Sequence, residues 1–314
     1  MTEDSQSQDF VYAIAASPHF AQDGVCFAAK LSGLFRSDDG GVTWRPLFDV
    51  LNLEDPLATP AVALSPEFGQ DHSVFAGVQG GVLYSSDGGH NWRFSQFPGP
   101  PPIVSTLAIS PNFAEDGVLL AGLIKDGVYR SGSRGRSWEA WNFGLLDLNV
   151  LSMVLSPAFA ADETLFVGTE TGVFRSMNGG RAWRETGFPI DAAPVVSLAI
   201  SPGYAEDGVL FAGTEGRGLF CSSDRGKTWE RVGEEAVTGA VNALALSPEY
   251  PAKPHVLAML EEAVLISRDG GATWSSWKDG LRFESSLSTL AAPQGLNPGA
   301  PLLVGLVGGD VRRV

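Results

Sequence analysis

Apolar residues in this chain fall in short runs, each bounded by Gly, Pro, Asp or Ser. One stretch shows the order: VVSLAIS at 195–201, VLFAG at 209–213, GLFCS at 218–222, then Thr228 and Trp229 opening a further run. Runs of about five residues, rich in Val, Leu, Ile and Phe, are too short for a helical period and fit strands. Proline closes the first run by removing a ladder donor. The same order of blocks recurs along the chain. S-P-x-F-A-x-D-G-V-L-F-A-G is read at 17–29, 110–122 and 201–213, and G-V-F-R-S at 172–176. Each unit therefore predicts four strands, here a to d, with turns between them and essentially no helix.

Tryptophan keeps the count. Trp44, Trp92, Trp138, Trp183, Trp229 and Trp274 are spaced by 48, 46, 45, 46 and 45 residues, a period expected of a solenoid, propeller or array. Each closes an octapeptide between strands c and d: SDDGGVTW, SSDGGHNW, SGSRGRSW, SMNGGRAW, SSDRGKTW and SRDGGATW. The shared form is S-x-D-x-G-x-T-W. Its third position holds Asp39, Asp87, Ser133, Asn178, Asp224 and Asp269. An oxygen there can accept from turn N–H groups, and the following glycine supplies a positive φ.

These octapeptides resemble the Asp box, or BNR repeat, of sialidase-like, sortilin-like and photosystem II assembly-factor-like β-propellers. In those families the box lies between strands c and d of each blade. The resemblance spans roughly residues 10 to 280 in six copies. Ser133 and Asn178 depart from it but can still hydrogen-bond in a turn. The resemblance implies one all-β propeller domain over residues 1–314, and the C-terminal tail sets the count at seven blades, with a six-bladed ring as the alternative. Blades are expected near 10–50, 58–98, 103–145, 149–190, 194–236, 240–282 and 285–314. The tail LLVGLVGGDVRRV (302–314) aligns on 165–177, so the last blade stops after strand c. It is either left incomplete or completed by residues 2–9.

Composition narrows the class. With 38 Gly and 20 Pro in 314 residues, a long-helix protein is excluded, while 44% hydrophobic residues exclude disorder. The net charge of −15 argues against nucleic acid, whose phosphates it would repel. No apolar run is long enough to span a membrane, and residues 1–8 lack the form of a signal peptide, so a cytoplasmic protein is expected. Cys26 and Cys221 are too far apart in the repeat to bridge and read as small buried hydrophobes.

A propeller sorts residues by face. The a–b and c–d loops share one face, and their repeated residues read as structural. The d–a and b–c loops vary and form the other face, the channel mouth, where function tends to sit. This mouth is rich in carboxylates. The candidate ligand-binding residues are Lys30, Asp126, Glu170, Glu215, Arg217, Glu261 and Glu262. No metal site and no cofactor is expected, because no Cys or His pair has ligand spacing.

Catalytic signatures are sparse. A sialidase needs a Tyr nucleophile and an arginine cluster, yet Tyr84, Tyr129, Tyr204 and Tyr250 all occupy repeat positions, leaving Tyr12. The segment CSSDRGKT (221–228) imitates a phosphate-binding loop but lies in an octapeptide between strands. The expected function is a non-catalytic binding or scaffold module presenting an acidic loop face to a protein partner. The alternative is a glycoside hydrolase or glycan-binding propeller that uses mouth carboxylates.

Overall fold

A computed structural model describes residues 9–314. It forms seven antiparallel sheets around a central channel: a seven-bladed β-propeller. Six blades have four strands in consecutive order, and the last has three among the described residues. Blade 1 consists of Val11–Ala16, Cys26–Lys30, Gly33–Ser37 and Arg45–Pro46. Blade 7 consists of Leu287–Ala291, Leu303–Leu306 and Val311–Arg313. The proposed completion of blade 7 by residues 2–9 lies outside the described residues, except for Asp9. That residue's carboxylate accepts from Ser32 N at 3.0 Å and Ser32 Oγ at 2.7 Å.

The core is divided into seven wedges, one between each pair of neighbouring blades. Strand b explains the division. It is buried on both faces, so alternate side chains enter the wedge on either side: Phe27 and Ala29 face blade 2, while Cys26 packs with Leu303 of blade 7. The strand-b phenylalanines Phe27, Phe75 and Phe166 are fully buried and together with Phe211 meet an aromatic ring of the next blade edge-on. Each such burial stabilises the ring by about 2 kcal/mol.

Three of those partner rings, Phe68, Phe113 and Tyr204, sit on an element absent from the sequence expectation, while the fourth, Tyr250, lies in the corresponding stretch of blade 6. In blades 1 to 5 the a–b loop is a four-residue helical turn, as at Phe20–Asp23, Phe113–Asp116 and Tyr204–Asp207. The Ser of Ser-Pro donates Oγ to the Asp six residues on, at 2.6 Å for Ser17 to Asp23 and 2.5 Å for Ser110 to Asp116. The other Asp oxygen accepts the N–H two residues further on. The repeated Asp23, Asp71, Asp116, Asp162 and Asp207 are thus clasps of this turn. Blade 6 has Pro251 and Lys253 in the corresponding stretch and forms no helix there.

The octapeptides share one turn. In blade 1, Asp39 Oδ1 accepts from Val42 N at 3.0 Å and Thr43 N at 2.9 Å, Oδ2 accepts from Thr43 Oγ1 at 2.6 Å, and Ser37 Oγ accepts from Gly41 N at 2.9 Å. Gly41, at φ +88°, supplies the left-handed residue this path requires. Ser133 and Asn178 still accept the N–H four residues on, each at 2.9 Å. The bonds from Thr228 and Ser222 hold the Asp224 carboxyl at about 2, and those from Thr273 and Ser267 do the same for Asp269. The Trp that follows leans on the preceding blade: Trp92 on Phe48, Trp138 on Phe97 and Trp229 on Phe188, with centroids 5.4, 5.1 and 5.4 Å apart.

Near the channel, strand b carries a glycine in five blades. A Cβ on Gly77, Gly122, Gly168 or Gly305 would come within 2.8 Å of strand a of the following blade, and one on Gly213 within 2.8 Å of Val241, just before that strand. For Gly305 that neighbour is Val11, so blade 7 closes on blade 1 by the same contact.

Candidate functional site

The mouth is assembled from backbone upward. Several b–c turns are tied by main-chain bonds to the chain beside them: Thr59 N to Lys30 O at 3.0 Å, Gly127 N to Leu148 O at 3.0 Å, Leu287 N to Glu261 O at 2.7 Å; that of blade 4 is held by the Asp147 carboxylate, which accepts from Thr171 N at 2.9 Å. The variable segments are therefore held at fixed positions around the ring.

The candidate residues are spread over this rim. Lys30 is 9% exposed at the end of the first strand b, with Nζ 4.4 Å from the centre of the Phe35 ring. Burial lowers its pKa, against the pull of Asp9 and Asp310. Asp126 is half-buried; its carbonyl accepts from Asn142 Nδ2 at 2.9 Å, and its charge adds to burial in raising the pKa of Tyr129. Glu170 is exposed and accepts from Asn149 Nδ2 at 3.2 Å. Glu215 and Arg217 are exposed on the turn of blade 5. Glu261 accepts from Ser286 Oγ at 3.3 Å. Glu262 lines a depression of about 600 Å³ with residues 280–286, among them Arg282 and Glu284. The structure thus gathers Glu262, Glu284 and Arg282 in one place and leaves the others at separate stations.

The channel itself is different in character. Its cavity of about 260 Å³ is lined by strand a of six blades, with Tyr12, Ser105, Thr106, Ser152, Ser197 and Asn242 as its polar members and, among the described residues, no carboxylate. Its serines are engaged between blades. Ser105 Oγ donates to Val150 O at 2.5 Å, Ser152 Oγ to Val195 O at 3.2 Å and Ser197 Oγ to Val241 O at 2.6 Å. Among the described residues no group of three His, Cys, Asp or Glu could hold a metal ion, and no helix is long and apolar enough to cross a membrane.

Attention to charge overlooked the apolar part of the rim. Leu146 and Ile190 are each 76% exposed on d–a linkers; Phe143, 82% exposed on the linker of Leu146, lies instead against the octapeptide of blade 4, its carbonyl accepting from Trp183 N at 2.8 Å. The signal was present in the sequence as FGLLDLN at 143–149, apolar residues in a segment with no strand to bury them. Trp141 carries two guanidinium groups over its ring, those of Arg130 at 4.4 Å and Arg181 at 5.0 Å from its centre.

The fold and rim define a seven-bladed propeller with a varied mouth. No family model and no curated protein matches the chain. Solved structures do. A GH74 xyloglucanase from Xanthomonas campestris is 19% identical with a TM-score of 0.75; the match covers 97% of this chain and 51% of the xyloglucanase, so this chain spans about half its length. A YCF48 propeller solved with a D1 peptide bound is 17% identical with a TM-score of 0.70, covering 98% of this chain and 91% of the other. The WD40 propeller domain of Doa1 is 13% identical with a TM-score of 0.68, covering 97% and 92%. At these identities the likeness shows the fold.

Proposed function

We propose that this chain is an Asp-box propeller acting as a non-catalytic binding module, with a protein partner received at the mouth. The observation that carries the reading is the contrast between channel and rim. Among the described residues the channel cavity is lined by no carboxylate, and its serines join neighbouring blades. The rim presents dispersed carboxylates and exposed apolar side chains on bonded loops. Dispersed charge with apolar anchors suits recognition by shape and charge. A neighbour of nearly the same length, YCF48, holds a D1 peptide, which supports the same use of the fold.

One observation favours a second reading, glycoside hydrolysis. Glu262 and Glu284 line a single depression, and GH74 enzymes are among the structural neighbours. The test pairs two measurements on purified protein. Reducing-sugar release from a panel of β-glucans is expected to be nil for the wild type. Cross-linking mass spectrometry with host extract is expected to map partner contacts to the mouth linkers. Glycan turnover that disappears in Glu262→Gln/Glu284→Gln would overturn the binding reading in favour of the enzyme.

A further inference from the structure

We propose that the mouth sector over blades 3 to 5 docks a cationic amphipathic segment of the partner protein, using Leu146, Leu148 and Ile190 as apolar anchors among carboxylates. The inference rests on the protein-binding reading above and names the place and the partner's chemistry.

The anchors are exposed on loops that cannot collapse to hide them. Asp147, between Leu146 and Leu148, accepts from Asn149 N at 2.9 Å on one oxygen and from Thr171 N at 2.9 Å and Thr171 Oγ1 at 3.0 Å on the other. Asn142, before the loop, donates to Asp126 O at 2.9 Å and accepts from Val128 N at 2.7 Å. The linker is thereby fastened to the b–c turns of both blades 3 and 4. Thr171, the residue that grips Asp147, also lines a small cavity with Ile190, so the two linkers adjoin. Hydrophobic side chains held out in water at 76% exposure lose the burial they would gain in any contact.

Charge selects the occupant. The turns and linkers of this sector carry Asp126, Asp147, Glu170, Asp191 and Glu215 against Lys125 and Arg217. The Asp126 and Asp191 carboxylates make no hydrogen bond among the described residues, so they are open to lysine or arginine; the Asp147 oxygens are engaged and contribute field alone. An acidic or neutral segment would gain only the apolar contact. A segment with an apolar stripe flanked by cations gains both terms, and the rigid loops add little ordering cost.

The probe is a labelled peptide of Leu and Lys in amphipathic helical order, compared by fluorescence anisotropy with a scrambled peptide of the same composition. Wild-type protein is expected to prefer the ordered peptide. Leu146→Ser/Ile190→Ser, both at exposed positions, is expected to weaken it by about tenfold with an unchanged melting curve. Asp126→Asn/Asp191→Asn is expected to weaken it severalfold and flatten its salt dependence. Glu54→Gln/Asp55→Asn, both exposed on the linker between blades 1 and 2 and outside this sector, is expected to leave it unchanged. Equal binding of both peptides, no binding of either, or full binding by the sector variants overturns the proposal. Loss confined to the Glu54/Asp55 variant overturns this sector while leaving a protein-binding mouth in place, and glycan turnover would strike the broader reading separately.

Discussion

Gly168 offers a direct measure of how tightly the blades are pressed together. Its φ lies outside the left-handed region, so alanine fits the backbone and any penalty is steric. A Cβ at this position would lie 2.4 Å from Ser152 Oγ, 2.6 Å from Val195 O and 2.7 Å from Val195 Cγ1. Two of these atoms belong to the next blade, and one is main chain, so relief requires moving a strand that is itself paired. Overpacking of this kind costs about 1–3 kcal/mol. Gly216, with no heavy atom within 4 Å of its Cβ position, is the control. There alanine removes only unfolded-state freedom, and is neutral to stabilising by about 0.4–1 kcal/mol. Urea unfolding followed by tryptophan fluorescence should give a clearly lower midpoint for Gly168→Ala than for Gly216→Ala at equal m. Midpoints that coincide would refute the idea that blade spacing is set at the strand-b glycine.

Three further outcomes are expected. Asp224 and Asp269 hold their carboxyls at about 2, and at Asp87 burial opposes but does not outweigh the bonds from Asn91, Ser85 and His90, leaving it also at about 2, against 3.8 unperturbed. Depressed carboxylates contribute stability that is fully present above about pH 4 and is lost as pH falls toward about 2. Acid titration of Asp224→Ser, which copies Ser133 of blade 3, should show a smaller loss over that window than the wild type; an identical profile would count against the turn as its source. Trp229→Ala empties the contact with Phe188 and should cost about 3–5 kcal/mol in urea unfolding, whereas a cost below about 1 kcal/mol would contradict the inter-blade role. Burial pushes the Cys26 and Cys221 thiols up to about 12, so a disulfide reagent should label neither in the native protein and both in denaturant.

The ring was legible because its repeat is written in residues with one job each. Trp, box Asp and Ser-Pro recur at a fixed period, and turn chemistry of that kind is local enough to read without neighbours. The helical turns at Phe20–Asp23 and its counterparts were not legible, since four residues are too few to show a helical period and the clasp joins Ser17 to Asp23 across the turn. Lys30 was assigned to the mouth by its place after strand b. Its burial follows from a strand covered on both faces, where even the last residue lies between blades. The exposed Leu146 and Ile190 escaped notice because apolar residues near strands are ordinarily taken for core, and only the linker geometry shows that no wedge receives them.

The outermost strands have a consequence for how such molecules behave in a crowd. In blades 1, 3, 4 and 6 the edge strand is two residues long: Arg45–Pro46, Glu139–Ala140, Arg184–Glu185 and Ser275–Ser276. Each of the six four-stranded blades ends, among the described residues, in an open sheet edge, the usual starting point for stacking one chain on another. Two residues bearing charge, a proline or short hydroxyl side chains give an arriving strand almost nothing to align against. The outward taper therefore protects the ring from fibre formation, and blade 2, whose edge Arg93–Gln96 runs to four residues, is where that protection is thinnest among them.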